Sequence, residues 1–105
     1  MMSINELKIA INYMPIDSEI KESLLKNSEI LIDFRDHLCK KYNISEIESE
    51  AKIKEYMSSN FKSGKIDDIP NIAYEYAINE GFDNSLEFKS SISELINLNN
   101  KIKGN

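Results

Sequence analysis

The chain contains no valine, threonine, glutamine or tryptophan, one cysteine, one histidine and one arginine. Each scarcity excludes something. A lone Cys39 rules out a disulfide scaffold and the paired-cysteine zinc ligands. Three Gly and two Pro exclude a collagen-like or low-complexity chain. Gly64, Gly81 and Gly104 stand too far apart for any phosphate-cradling glycine loop, and no G-x-S-x-G elbow occurs. Without Val and Thr, the strand-favouring residues shrink to Ile and a few aromatics. No aliphatic run exceeds three residues (Ile9-Ala10-Ile11 and Ile30-Leu31-Ile32), whereas a membrane span needs about twenty. The first residues lack the basic and apolar regions of a secretory signal, so a soluble, reducing, cytoplasmic setting is expected.

Ile, Lys, Glu, Asn, Leu and Ser dominate the 105 residues, a bias that an A/T-rich bacterial, phage or plasmid genome would produce. One hydrophobic core and one domain, residues 1–105, are expected at this length. The net charge of -5 is uneven. Residues 1–66 hold 10 Lys/Arg against 11 Asp/Glu, and residues 67–105 hold 3 against 7. With Arg35 alone and no basic stripe, no direct nucleic-acid binding is expected.

The punctuation is helical. Ser3 with Glu6 and Ser45 with Glu48 are capping boxes. Pro15 ends the first helix, whose face carries Ile4, Leu7, Ile11 and Met14. Asp17 or Ser18 caps a second with Ile20, Leu24 and Leu25, and Asn27-Ser28 is expected to break or kink the chain. A third carries Leu31, Phe34, Leu38 and Tyr42 and ends in Lys40-Lys41-Tyr42-Asn43, with cations and a left-handed cap where the helix dipole favours them. The next carries Ile47, Ala51, Ile53, Tyr56, Met57 and Phe61. Residues 61–70 are the longest irregular stretch and the expected hinge or loop. Asp67, Asp68 and Pro70 start a helix whose core face is Ile69, Ile72, Ala73, Tyr76 and Ala77. Gly81 ends it, with Phe82 packing back as in a Schellman cap. Asn84 and Glu87 open the last helix, lined by Phe88, Ile92, Leu95 and Ile102. The fold class is all-α, a compact single-domain bundle of five or six short helices.

No constellation carries chemistry. Asp33 and His37 share a helix face, with Asp36 and Cys39 nearby, but structural zinc needs four ligands, and a solvent-side Asp–His pair is expected instead. Cys39 and His37, two apart on a helix, point in different directions, which leaves no dyad. No catalytic residue, metal or cofactor is expected. Asn43-Ile44-Ser45 matches a glycosylation sequon but reads as a helix end followed by the next cap. Tyr74 and Ile78 form an apolar pair beside the core stripe of their helix. Asp67, Asp68, Glu75 and Glu80 surround them with acid. Such a stripe, rimmed by carboxylates, suits a partner protein with a basic surface. Ile9 and Tyr13 form a weaker spare stripe, through which a homodimer is a further reading.

Two resemblances accompany this reading. The stretch Ala73-x-x-x-Ala77-x-x-x-Gly81-Phe82 with Leu86-Glu87 resembles the end of the helical leader domains of nitrile-hydratase-like peptide precursors. That likeness implies a docking handle for a peptide-modifying enzyme. In size, acidity and helical pattern the chain is also similar to small immunity and phage-encoded inhibitor proteins. The function expected is a non-enzymatic protein-binding module: an inhibitor, immunity factor or accessory subunit. A leader-type domain and a homodimeric structural protein are the alternatives.

Overall fold

A 25-residue helix, α1 (Ser18–Tyr42), organises the chain. At 1.5 Å per residue it is about 37 Å long, and the molecule's longest extent is 37 Å. The computed structural model describes residues 9–103. The Ser3–Glu6 capping box and the core positions Ile4 and Leu7 lie outside the described residues, as does the side chain of Ile102. After α1 come α2 (Glu46–Asn60), a 3-10 turn (Ile66–Asp68), α3 (Ile69–Asn79) and α4 (Ser85–Lys103). Residues 9–12 are helical, and no strand occurs among the described residues. The expected all-α bundle is what forms.

One expectation is corrected at Asn27-Ser28: the second and third expected helices are one, running unbroken through both residues. The buried Asn27 amide donates to the Ser23 carbonyl at 2.7 Å. A side chain that would compete with the helix in water is thereby turned back onto it. At its start, Asp17 contributes its backbone carbonyl, which accepts from Lys21 N–H at 3.0 Å, and no side-chain cap. At its end Asn43 adopts the left-handed conformation, φ 53°, and Ile44 N–H closes on the Cys39 carbonyl at 3.1 Å. Pro15 lies just past the helical residues 9–12, and Lys21 Nζ ties that turn to α1 through the Asn12 carbonyl at 2.8 Å.

The Ser45–Glu48 capping box forms in both directions and opens α2. Ile53, Tyr56 and Met57 of α2 pack against the core as expected, and the face departs from expectation in the first turns. Ile47 is 70% exposed and Ala51 is exposed, while Ser49 is fully buried. Ser49 sits where α2 crosses α1 and donates its hydroxyl to the Arg35 carbonyl at 2.9 Å. A small polar residue with a satisfied hydroxyl allows this close approach; a large aliphatic one would hold the helices apart. The irregular stretch is shorter than expected, residues 61–65. Pro70 sits in the first turn of α3, and Gly81 (φ 74°) closes it as a Schellman cap, with Phe82 N–H on the Ala77 carbonyl at 2.9 Å and Gly81 N–H on the Ile78 carbonyl at 3.0 Å.

The core is Ile30, Phe34 and Leu38 from α1, Ala73, Tyr76 and Ala77 from α3, and Phe88 from α4. Phe34 meets Phe88, Phe82 and Tyr76 at centroid distances of 4.6, 5.2 and 5.4 Å. Tyr76 stacks on Tyr56 of α2 at 4.1 Å. Burial, and secondarily Glu80, pushes the Tyr76 phenol up to about 12. Phe34→Ala is expected to cost about 3–5 kcal/mol and Ser49→Leu about 1–3 kcal/mol in denaturant titrations followed by circular dichroism. A Ser49→Leu chain as stable as the parent would show that α2 has room at the crossing.

Candidate functional site

Among the described residues, two clusters of charged side chains tie helices to one another. The first joins the C-terminal ends of α1 and α3. The Glu80 carbonyl, exposed at the end of α3, accepts from His37 Nε2 at 2.8 Å and from Lys41 Nζ at 3.0 Å. A carbonyl only accepts, so Nε2 carries the hydrogen. The Glu80 carboxylate accepts from Lys41 Nζ at 3.1 Å and from the Tyr42 hydroxyl. His37 lies between Phe34 and Phe82, at 6.4 and 5.4 Å. It is half-buried and tied to α3, which corrects the expected solvent-side pair with Asp33. The physical reason is helix termination: the last turn of α3 leaves carbonyls without intrahelical partners, and donors on α1 satisfy one of them.

Partial desolvation pushes the Glu80 carboxyl up, but the bonds from Tyr42 and Lys41 outweigh it and hold it below the usual carboxylate range. The same bonds raise the Lys41 ammonium and the Tyr42 phenol. Glu80 is therefore a tie within the fold.

The second cluster surrounds Arg35, which is buried where α1 and α2 cross. Its Nη2 lies 3.1 Å from Asp36 Oδ1 and 3.4 Å from Glu46 Oε1, and Nη1 lies 4.0 Å from Glu50 Oε2. All three carboxylates are about half exposed. Among the described residues, three carboxylates gather on this one guanidinium.

Beside this cluster opens an apolar groove of about 390 Å³. Its floor is Phe34, Ala73 and Phe88; its sides are Leu31 and Ile32 of α1, Ile53 and Met57 of α2, and Ile92 of α4, with Arg35 and Glu50 at one end. The groove exists because α2 packs on α1 and α3, and α4 packs on α1 and α3, while α2 and α4 form no shared face. A shallower hollow of about 340 Å³, lined by Ile66, Ile69, Leu95 and Ile96, adjoins it and shares Ile92. Between α1 and α4 lies a polar trough of about 630 Å³ with Glu29, Asp33, Glu87 and Glu94 against Lys26.

The six residues expected to meet a partner are not brought together equally. Ile78 is 49% exposed, and Glu75 and Asp67 stand at the surface. Tyr74 is half-buried, with the Lys89 ammonium 5.2 Å from its ring centre. Asp68 accepts from the Ser63 hydroxyl. Glu80 is engaged as described. Sequence reasoning missed Leu31, Ile53, Met57 and Ile92 as a surface, because each matched a core position of its own helix. The groove arises from how two non-adjacent helices are placed. Among the described residues no three His, Cys, Asp or Glu side chains gather as a metal site, and no helix is long and apolar enough to cross a membrane. Comparison with protein-family models, with curated proteins and with solved structures finds no match.

The carboxylate tie has a pH signature. A carboxyl whose folded pKa is depressed contributes stability above its unfolded pKa, about 4.3, and that contribution is lost as pH falls through the folded value. Glu80→Gln is therefore expected to lower the Tm by several degrees at pH 7, with the two melting curves converging as the solution is acidified below the usual carboxylate range. A difference that stays constant down to pH 2 would show that the charge on Glu80 is not what holds the two helix ends.

Proposed function

We propose that this chain is a non-enzymatic protein-binding module that docks on a larger protein, in the manner of an inhibitor, immunity factor or accessory subunit. The observation that supports this reading is the open apolar groove between α2 and α4. Leu31, Ile32, Ile53, Met57 and Ile92 line it half-exposed, around a floor of buried core residues. Contiguous apolar surface of this kind marks binding sites in soluble domains. Met57 adds an adaptable wall. Arg35 and Glu50 are the ionisable residues of the lining, a pair without a nucleophile, which suits binding better than bond-making. Arg35 is surrounded by carboxylates and offers phosphates little, in keeping with a protein rather than a nucleic-acid partner.

A homodimer is the second reading. It is favoured by Tyr13, 85% exposed, beside the exposed Ile9. Sedimentation of the purified chain separates monomer from dimer.

A photo-crosslinking amino acid placed at Met57, at Ile78 or at Tyr13 tests the reading in cells that make the protein. Expected is one stoichiometric adduct with a larger protein from position 57 and little from the other two. Adducts from position 78 alone would move the docking surface to α3. Adducts from position 13 alone, with a second copy of this chain, would leave the homodimer standing.

A further inference from the structure

We infer that the groove receives one amphipathic helix of a partner protein, with a lysine or arginine of that helix seated against Glu50. The inference rests on the reading that the chain binds a protein, and it names what the partner presents.

Three observations carry it. The apolar surface is an elongated track. The groove and the adjoining hollow share Ile92, and together they follow α4 from Phe88 to Asn99. Those twelve residues of helix span about 16 Å from first to last, three turns of a guest helix lying alongside. A compact ligand would fill one hollow; a helix with apolar residues at i, i+3, i+4 and i+7 fills both. The second observation is charge. Asp36 and Glu46 lie closest to the Arg35 guanidinium, at 3.1 and 3.4 Å, whereas Glu50 lies at 4.0 Å and itself lines the groove. Among the described residues three carboxylates gather at the Arg35 end of the track, and the half-exposed Glu50 that lines it is complementary to a cation entering with the guest. The third is polarity along the track: away from Arg35 and Glu50 the ionisable groups cease, and Asn99 and Asn100 close the far end. The guest is thus cationic toward one end and apolar along its length.

The probe is a 14-residue helical peptide with Leu at i, i+3, i+4, i+7 and i+11 and Lys at the polar positions, beside a second peptide with Glu at every Lys. Each is titrated into the full chain and followed by two-dimensional NMR. Expected are shifts of Ile53, Met57, Ile92 and Ile96 with the lysine peptide. Its affinity should fall about tenfold or more in Glu50→Lys and by less in Glu50→Gln, and the glutamate peptide should bind at least about tenfold more weakly. Equal binding of the two peptides would overturn the inference. So would shifts confined to Tyr74 and Ile78 or to the Glu29, Asp33, Glu87 and Glu94 trough, or groove shifts produced by 1-anilinonaphthalene-8-sulfonate and not by the lysine peptide. The crosslink at position 57 keeps the two levels apart. A crosslinked partner segment that is not a basic helix would overturn this inference and leave the binding reading intact; the absence of an adduct with a larger protein from any of positions 57, 78 and 13 would overturn the binding reading itself.

Discussion

The ring of Phe34 is the contact on which the rest of the structure depends. It is fully buried at the middle of α1 and touches Tyr76 of α3, Phe82 of the Gly81 corner and Phe88 of α4. Aromatic pairs at these separations gain energy beyond the area they bury. Three elements distant in sequence converge on one side chain of one helix. Ala73 and Ala77, both buried, let α3 come close enough to do so. The corner at Gly81 is part of the same arrangement: its left-handed turn returns Phe82 to the ring, and it leaves the Glu80 carbonyl pointing at donors from α1. Once α1, α3 and α4 have closed on Phe34, α2 is attached elsewhere, through the Ser49–Arg35 bond and the Tyr56–Tyr76 stack. The gap between α2 and α4 follows from that division.

Local rules were legible wherever the chain itself satisfies the backbone. The Ser45–Glu48 box, the left-handed Asn43, Pro70 in the first turn and the Gly81–Phe82 cap all lie where residue type and spacing place them. The misreadings share a cause: a residue whose partner is distant in sequence, or whose neighbours fix an unusual choice. Asn27 looks like a breaker until its amide finds the carbonyl one turn back. Ile47 looks like core and Ser49 like surface until α1 arrives, and only a small side chain fits the crossing. His37 looks like a solvent-side residue because its acceptor, the Glu80 carbonyl, lies 43 positions away. The candidate site was illegible for the same reason. Each of its aliphatic residues obeys the core period of its own helix, and the opening between them is a property of two helices that never adjoin in sequence.

Segment totals also misdirect the electrostatic reading. Residues 67–105 carry most of the excess acid, yet that acid is partly spent inside the fold or screened there. Glu80 is bonded to Lys41 and Tyr42, Asp68 to Ser63, and Lys89 covers Tyr74. The carboxylates beside the groove belong to residues 1–66, a stretch that is nearly balanced overall. At physiological salt a charge acts over about 8 Å, so three carboxylates gathered on one guanidinium outweigh a larger number spread along a chain. The field a partner meets is set by which helices cross where.

The groove is also held open by specific contacts. For α2 to collapse onto α4 it would have to roll away from α1, removing the Ser49 hydroxyl from the Arg35 carbonyl and parting Glu46 and Glu50 from the guanidinium. It would also slide the Tyr56 ring off Tyr76, where the planes lie within 10° of parallel. A buried hydroxyl without its acceptor costs about 1–3 kcal/mol, and a buried guanidinium left with Asp36 alone of its three carboxylates adds to that cost. Against this, closing the groove would bury part of five aliphatic side chains, each worth about 0.8 kcal/mol per methylene removed from water. The polar contacts at the crossing oppose that closure. On the proposed reading, a guest helix lying along α4 would leave the Ser49 and Tyr56 contacts of the crossing in place.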